Sequence, residues 1–322
     1  MTTKEIKRPG QEAVQKKGWL LAHKWLILRR LSQILILALF ILSPWIAEKT
    51  GLWLVKGNLA SSLTLNVLPL TDPYVLLQSL VAGNWPIFTG FLGALIVAAF
   101  YFLIGGRVYC SWVCPINIVT DVAAWLRSRL GLKGGAQIGR NTRFWILGFT
   151  FLLALLTGSI AWELINPVSM VFRGLIFGMG FAWGVILAVF LLDFVISRRA
   201  WCGSLCPVGA FYSLLGSQSL VRVNAYQREN CDDCMDCFLV CPEQQVIKNP
   251  LKGADKGYSS IITSGQCTNC GRCIDVCGED VFRFDTRLPF IKSSSNKAPF
   301  KEISNNTSGQ PRSLSENKEV TS

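Results

Sequence analysis

Eight of the twelve cysteines lie in two short stretches near the C-terminal end of the chain, at a spacing suited to iron–sulfur ligation. The first stretch reads CDDCMDCFLVCP at 231–242 and the second reads CTNCGRCIDVCG at 267–278. Three cysteines in a CxxCxxC run can hold three corners of one cubane, and the fourth, which follows later, reaches the other cubane. The spacing therefore predicts two 4Fe-4S clusters and a protein that moves electrons. The predicted ligands are Cys231, Cys234, Cys237 and Cys277 for the first cluster and Cys267, Cys270, Cys273 and Cys241 for the second.

Zinc is the alternative occupant of such thiolates. Zinc sites usually draw their cysteines from CxxC pairs, and two interlocked runs of four cysteines fit that pattern poorly. The second run ends in Gly278 where the familiar ferredoxin pattern has proline, a departure that affects the local turn more than the ligation. The sequence therefore favours iron and sulfur.

The other four cysteines form two CxxxCP motifs, Cys110 with Cys114 and Cys202 with Cys206. This spacing places each pair one helical turn apart if a helix begins there, where a pair can chelate a metal or form a redox disulfide. The proline after each pair suits the first turn of a helix. Both motifs lie in matching units of a two-unit repeat, so we expect the four thiols to converge into one redox or metal site. The alternative is that they are small, buried packing residues.

Three carboxylates near the apolar segments are candidates for accepting protons from a quinol, whose oxidation releases two protons. Asp193 lies inside the last apolar segment, where a carboxylate should face the bundle or a hydrated pocket. Capping, or pairing with Arg198 and Arg199, is the alternative explanation for Asp193. Glu163 and Asp72 are expected at the outer face of the membrane.

The composition is that of a membrane protein, since 51% of the residues are hydrophobic and 16% are charged. Apolar segments at about 31–47, 86–104, 144–162 and 175–196 predict four transmembrane helices. Lys and Arg are in excess before the first predicted helix and in the loop between the second and third. Because positively charged loops stay on the cytoplasmic side, both termini are predicted to lie in the cytoplasm. We expect a multi-pass protein of the bacterial inner membrane, in contact with lipid. The segment 63–80, interrupted by prolines, is expected to be interfacial or re-entrant.

The predicted fold is an all-α polytopic membrane domain with a twofold internal repeat, followed by a small α+β double-cluster ferredoxin domain. The predicted boundaries are a basic cytoplasmic N-terminus at 1–30, the membrane domain at 31–219, the ferredoxin-like domain at 220–288 and a disordered tail at 289–322. The single histidine, His23, excludes a bis-histidine haem, and haem c is excluded because CxxCH is absent. The net charge of +12 clusters beside apolar segments, so nucleic acid is not an expected partner.

The order of these motifs resembles the NapH family, whose members are membrane quinol dehydrogenase components of periplasmic nitrate reductase systems. The resemblance covers Lys16 to about Arg287. The stretches that carry it are KKGWLLAHKWLILRRL, LPLTDP, CSWVCP, INPVS, WCGSLCPVGA and CMDCFLVCPE. It implies oxidation of menaquinol or ubiquinol as part of an oxidoreductase complex rather than as a stand-alone enzyme.

The resemblance also implies partners: a periplasmic ferredoxin-type subunit, and a membrane multihaem cytochrome or the nitrate reductase as electron acceptor. One alternative is a membrane polyferredoxin that reduces a metal or cysteine during maturation of another redox complex. Another is a structural anchor or redox sensor without turnover. These functions rest on analogy at the level of the family.

Overall fold

A computed structural model describes residues 9–51, 53–132, 135, 138–178 and 180–287, so the predicted tail at 289–322 lies outside the described residues. The chain is mostly helical, with two small antiparallel sheets. The α-helices are α1 (Gln11–Lys17), α2 (Trp19–Ala22), α3 (Lys24–Thr50), α4 (Pro73–Val81), α5 (Phe88–Ile104), α6 (Ile116–Arg129), α7 (Thr142–Thr157), α8 (Trp162–Ile165), α9 (Pro167–Phe177), α10 (Gly180–Leu191), α11 (Pro207–Leu215), α12 (Asp236–Val240), α13 (Gln245–Lys252) and α14 (Arg272–Val276). The strands are β1 (Val55–Gly57), β2 (Ser61–Thr64), β3 (Leu68–Thr71), β4 (Val221–Asn224) and β5 (Arg283–Thr286).

Helix α3 is the one described helix that is long and apolar enough by itself to cross a membrane. It has 27 residues, and apolar side chains such as Leu31, Ile34 and Leu35 are more than half exposed, as on a helix that faces lipid. The other three predicted spans coincide with the shorter apolar helices α5, α7 and α10. Helix α10 continues as a π-helical turn to Ile196.

A three-stranded sheet lies between α3 and α4, which the expectation of an all-α membrane domain did not include. Strand β2 pairs with β1 and β3, and Leu65 and Asn66, both with positive φ, make the tight turn between β2 and β3. The prolines explain the difference, since Pro69 prevents a helix and is tolerated on the edge strand β3. Strand β3 runs close against α5 at Gly93, where an added Cβ would lie 3.0 Å from the Pro69 carbonyl group.

Helices α4 and α9 begin in the same way. Asp72 caps α4 and Asn166 caps α9, each accepting a hydrogen bond from the backbone N–H two residues later, and a proline occupies the first turn of both helices. Each helix is followed by an apolar helix, a cysteine pair and a further helix, in the order α4–α5–α6 and α9–α10–α11.

The two CxxxC segments form π-helical turns, Tyr109–Val113 and Trp201–Leu205, rather than the first turns of α-helices. The second cysteine of each pair, Cys114 or Cys206, has extended backbone, and α6 or α11 begins after it. Proline confines the residue before it to extended backbone, so the helix cannot start at the cysteines. The expectation of an α-helical turn at these cysteines was therefore wrong.

The C-terminal domain is an α+β fold. Strands β4 and β5 pair in an antiparallel register from Val221 opposite Thr286 to Asn224 opposite Arg283. Helices α12 and α14 each lie within one cysteine run and contribute Cys237 and Cys273 to the core. The buried apolar side chains of this core are Val223, Ala225, Val246, Ile247, Leu251, Ile262, Val281 and Phe282.

The N-terminal helices are fastened to this domain at both cysteine runs. The carboxylate of Asp236 accepts a hydrogen bond from Gly10 N–H at 2.8 Å, at the start of α1. Asp275 accepts from the N–H groups of Trp25 and Leu26, in the first turn of α3, at 3.1 and 2.9 Å. Both carboxylates satisfy unpaired donors at a helix N-terminus, so cysteine-run residues position the long apolar helix.

Gly271→Ala is expected to destabilise this contact by about 1–3 kcal/mol. Gly271 has a φ of +71°, and an added Cβ would lie 2.5 Å from the Trp25 side chain. We expect a lower thermal unfolding midpoint for the purified protein in detergent. Met235→Ala is the matched control, because Met235 has the left-handed backbone in the first cysteine run and already carries a side chain. Equal losses in both variants would contradict this explanation.

Candidate functional site

The first cluster group, Cys231, Cys234, Cys237 and Cys277, surrounds one small cavity near the surface of the C-terminal domain. All four thiols line this cavity, together with apolar side chains such as Phe238 and Phe282. The distribution of cysteines is the one predicted from the spacing, with Cys277 brought in from the other run.

The second cluster group, Cys241, Cys267, Cys270 and Cys273, lies deeper in the protein. Burial raises the pKa of Cys241, Cys267 and Cys273, and each of these three is also within range of the charge on Cys270, which raises its pKa further. Cys270 and Cys273 are buried. Cys273 also lies within electrostatic range of Cys237 in the domain core, so the two groups are neighbours.

The two cysteine runs share one backbone shape. In the first run Asp233 and Met235 have left-handed backbone, and in the second run Asn269 and Gly271 occupy the equivalent positions. Alternation of left-handed residues turns successive N–H groups toward a common centre, an arrangement that suits an anionic group. The thiol donors and this backbone fit a 4Fe-4S cluster in each group.

The membrane-end group, Cys110, Cys114, Cys202 and Cys206, also converges. Every pair among these four thiols is close enough for charge repulsion between them. The two π-helical turns therefore bring both CxxxCP motifs to one place, although 92 residues separate Cys110 from Cys202. Burial raises the pKa of the Cys206 thiol to about 12, so a bound metal would displace a proton from it.

The membrane-end group and the second cluster group face each other across a cavity. Cys110, Cys202 and Cys270 line it, together with Arg107 and Arg199. Direct hydrogen bonds join the two sides of this cavity, from the first π-helical turn to the second cysteine run. Ser111 Oγ donates to the carbonyl oxygen of Thr268 at 2.7 Å, and Trp112 Nε1 donates to that of Asn269 at 3.1 Å.

Glu243 is the centre of one buried ion network. Its carboxylate forms ion pairs with Arg107, Arg140 and Arg143. Arg107 also donates to the Cys202 carbonyl oxygen at 3.0 Å, and Arg143 to that of Gly203 at 3.2 Å, inside the second π-helical turn. Although burial alone would raise the pKa of Glu243, Arg107 and Arg143 outweigh it and hold the pKa below its ordinary value. Glu243 thus connects the second cluster group to the membrane-end group.

Asp121 is the centre of the other network. Its carboxylate, on α6, forms ion pairs with Arg30, Arg199 and Arg272. Arg272 lies between Cys270 and Cys273, so this network also fastens the second cluster group to the helical part of the chain. Burial alone would raise the pKa of Asp121, but the guanidinium groups of Arg272 and Arg199 lower it well below its usual range.

Arginines outnumber carboxylates in these two networks. Two carboxylates face six arginines in the networks, and Arg29, 1% exposed, adds another cation near Cys270. Among the described residues, buried guanidinium atoms of Arg29, Arg107, Arg199 and Arg272 have no hydrogen-bond partner. Burial alone would raise the pKa of Cys270, yet Arg29 and Arg272 bring it below its ordinary value. The surroundings are therefore built to hold anions such as thiolate-ligated clusters.

The three predicted proton acceptors do not form one site. Asp72 accepts from the hydroxyl of Tyr212 at 3.1 Å. Asp193 accepts from the Trp201 N–H at 2.9 Å, next to the second cysteine pair, so it acts as a cap rather than as the direct partner of Arg198 or Arg199 that the alternative suggested. Glu163 binds Asn166 and the hydroxyl of Ser169. Each carboxylate has its own partners.

Sequence reasoning missed the arginines and the two carboxylates that they surround. One signal was available, because Arg107 and Arg199 each stand three positions before the first cysteine of a CxxxCP motif. Glu243 follows Cys241 by two positions, and nothing in the sequence pairs it with residues more than 100 positions away.

No group of three or more His, Cys, Asp or Glu side chains among the described residues is arranged to hold a single metal ion. A cubane cluster, by contrast, takes one thiolate at each of four separate corners.

Asp121→Asn is expected to destabilise the protein by about 3–5 kcal/mol, because it leaves three arginines without their carboxylate. Since the folded-state pKa of Asp121 is lowered, its contribution is present above the unfolded value of about 3.9 and is lost as the pH falls through the folded value. Thermal unfolding in detergent measured at several pH values checks both statements. Asp255→Asn, at an exposed position, is the control, and equal stability of the two variants would refute the role of this network.

Comparison with known proteins also indicates iron–sulfur binding. A protein-family model described as a 4Fe-4S binding domain matches residues 86–133 and 176–224, the two stretches that contain the CxxxCP motifs. No solved structure matches the chain.

Curated relatives match almost the whole chain. The methylamine utilization ferredoxin-type protein MauN of Paracoccus denitrificans is 55% identical over 277 residues, which cover 86% of this chain and 95% of the relative. MauN of Methylorubrum extorquens is 52% identical, over 86% of this chain and 94% of the relative. The ferredoxin-type protein NapH of Escherichia coli is 46% identical, over 86% of this chain and 95% of the relative. The chain belongs to the family of ferredoxin-type iron–sulfur electron-transfer proteins that contains MauN and NapH.

Proposed function

We propose that the protein is the quinol-oxidising membrane component of a respiratory complex, with three 4Fe-4S clusters. The first and second cluster groups would hold the two ferredoxin clusters, and the membrane-end group would hold the third. Bound there, such clusters accept and release single electrons. The single observation that carries the proposal is the cavity shared by Cys110, Cys202 and Cys270, which makes the three groups consecutive neighbours.

The arginine surplus supports a cluster in the membrane-end group. Thiolates replaced by neutral packing residues would leave Arg107 and Arg199 buried with too little negative charge around them. The family model for a 4Fe-4S binding domain matches both motifs of this group, which the spacing argument by itself left open between a metal, a disulfide and simple packing.

The proposed setting is the bacterial inner membrane, with α3, α5, α7 and α10 as four spans, a twofold repeat and both termini in the cytoplasm. The apolar surfaces of these helices and the positive charge of the flanking loops support this topology. Helices α5 and α7, with 17 and 16 residues, are near the lower limit for a span, and α10 reaches a similar length with its π-helical turn.

The electron acceptor is proposed from the relatives. NapH relatives suggest a periplasmic nitrate reductase, reached through a periplasmic ferredoxin-type subunit or a membrane multihaem cytochrome. The MauN relatives, which have higher identity, are named for methylamine utilization, so a different oxidoreductase is the second candidate acceptor. The alternative function is that of a maturation factor, which would reduce a metal or cysteine during assembly of another redox complex.

Cys110→Ser and Cys206→Ser are each expected to remove one of three clusters, because one ligand of the membrane-end group is lost. The iron content should fall from about twelve to about eight atoms per chain. The electron paramagnetic resonance (EPR) signals of the two C-terminal clusters should persist, and quinol oxidation should stop. Ser204→Ala, within the same turn, is the control and should keep all the iron. An unchanged iron content in both cysteine variants would contradict a third cluster and would indicate that these thiols are packing residues.

Quinol is expected to reduce the iron–sulfur centres of the purified protein. EPR spectra recorded before and after addition of a menaquinol or ubiquinol analogue check this directly. Centres that dithionite reduces but that neither quinol reduces would contradict the proposed substrate.

A deletion strain separates the electron-transfer function from maturation. If nitrate reduction is lost while the nitrate reductase still contains all its cofactors, electron transfer to that enzyme is supported. If the reductase lacks its cofactors or is not assembled, the maturation role is supported. Unimpaired nitrate reduction with impaired growth on methylamine would point to the second acceptor.

A further inference from the structure

The buried caps of α4 and α9 differ in one chemical respect. Asp72 and Asn166 are equivalent caps, 9% and 8% exposed, and each holds the N-terminus of its helix in the same way. Asparagine is isosteric with aspartate and makes the same capping bond, so the cap itself does not require a charge. The cap of α4 can therefore take up a proton and the cap of α9 cannot, although the carboxylate of Glu163 contacts Asn166 and Ser169 at the start of α9.

Asp72 has a second contact that leads to the membrane-end group. The hydroxyl of Tyr212, on α11, donates to Asp72 Oδ1 at 3.1 Å. Helix α11 begins directly after Cys206. The Tyr212 ring stacks at 5.2 Å on the ring of Tyr109, whose neighbour in the chain is Cys110. One buried tyrosine thus joins the carboxyl group to both cysteine motifs.

The surroundings of Asp72 contain no compensating cation among the described residues. The titratable groups that face it are four tyrosines and Glu163, whose charge repels that of Asp72. Burial of a carboxyl group without a cation favours its protonated form relative to the same group in water. Asp193 differs in its surroundings, because Arg199 lies within electrostatic range and its carboxylate accepts the Trp201 N–H rather than a tyrosine hydroxyl. The facing tyrosines are Tyr74 on α4, Tyr101 on α5, Tyr109 in the first π-helical turn and Tyr212 on α11.

We propose that Asp72 takes up one proton when the membrane-end group gains one electron, with Tyr212 as the positioning residue between them. This inference rests on the third redox centre of the proposed function. An added electron and an added proton leave the buried charge unchanged, which matters where water does not screen it. Oxidation of one hydroquinone to a quinone breaks two O–H bonds and releases two electrons and two protons. In each of two rounds one electron reduces the membrane-end group and one proton forms an Oδ–H bond on Asp72. Before the next round the electron passes to the neighbouring second cluster group and the Oδ–H bond breaks as its proton leaves for the solvent, so two rounds consume one hydroquinone.

The test is a redox titration of the purified full-length protein, monitored by EPR at several pH values. The signal of the membrane-end group is identified as the one that Cys206→Ser removes. In the unmodified protein its midpoint potential should fall as the pH rises, by at most 59 mV per pH unit for one proton per electron. In this titration the solvent supplies the proton. Asp72→Asn should abolish the pH dependence, since it keeps the cap and removes the titratable oxygen.

Tyr212→Phe should reduce the pH dependence, because it keeps the stacked ring and removes the hydroxyl. Tyr101→Phe is the matched control, since Tyr101 packs against Tyr212 without a hydrogen bond to Asp72, and it should leave the slope unchanged. A slope that survives in Asp72→Asn overturns the inference. If that variant does not assemble, a slope unchanged in Tyr212→Phe overturns it. Absence of any signal that depends on Cys206 overturns the proposed third cluster instead, and the inference with it.

Discussion

The excess of arginine over carboxylate in the networks of Glu243 and Asp121 is the constraint on which the rest of the structure depends. Glu243 and Asp121 each attract three arginines, and every one of these networks crosses from the helical part of the chain to the second cluster group. Burying a guanidinium group without an anion is costly, so the arginines require both the carboxylates and the thiolates around them. The same cations would stabilise the reduced, more negative form of any cluster held there.

This constraint also explains why the cysteine-run domain and the helices form one unit. Arg107 and Arg143 bind Glu243 and the backbone of the second π-helical turn with the same guanidinium groups. The position of the membrane-end group therefore depends on a residue two positions after a ligand of the second cluster group. A protein that passes electrons between neighbouring centres benefits from such coupling, because distance between the centres is held by buried ion pairs rather than by a linker.

The caps of α4 and α9 have the same geometry and differ in chemistry. Asp72 and Asn166 do the same structural work at α4 and α9, and a single carboxyl group in place of an amide distinguishes them. Tyr212 reaches Asp72 because α11 starts at Cys206 and runs beside α5 and α7. The proposed proton uptake is thereby placed at the start of α4, where Tyr212 links Asp72 to the membrane-end group.

The sequence by itself determined the grouping of the eight C-terminal cysteines, since that depends on separations of two or three residues. It also located the apolar segments that form α3, α5, α7 and α10. The helix starts at Pro73 and Pro167 escaped prediction, although proline suits the first turn of a helix. The sheet before Asp72 escaped prediction because its apolar residues also suit an interfacial segment. The repeat predicted that the four CxxxCP cysteines converge, whereas only the tertiary structure decided that Glu243 joins Arg107 and that Asp72 meets Tyr212. These two contacts link residues 136 and 140 positions apart in the chain, and no local pattern of spacing or hydrophobicity encodes which distant polar groups will share one buried space.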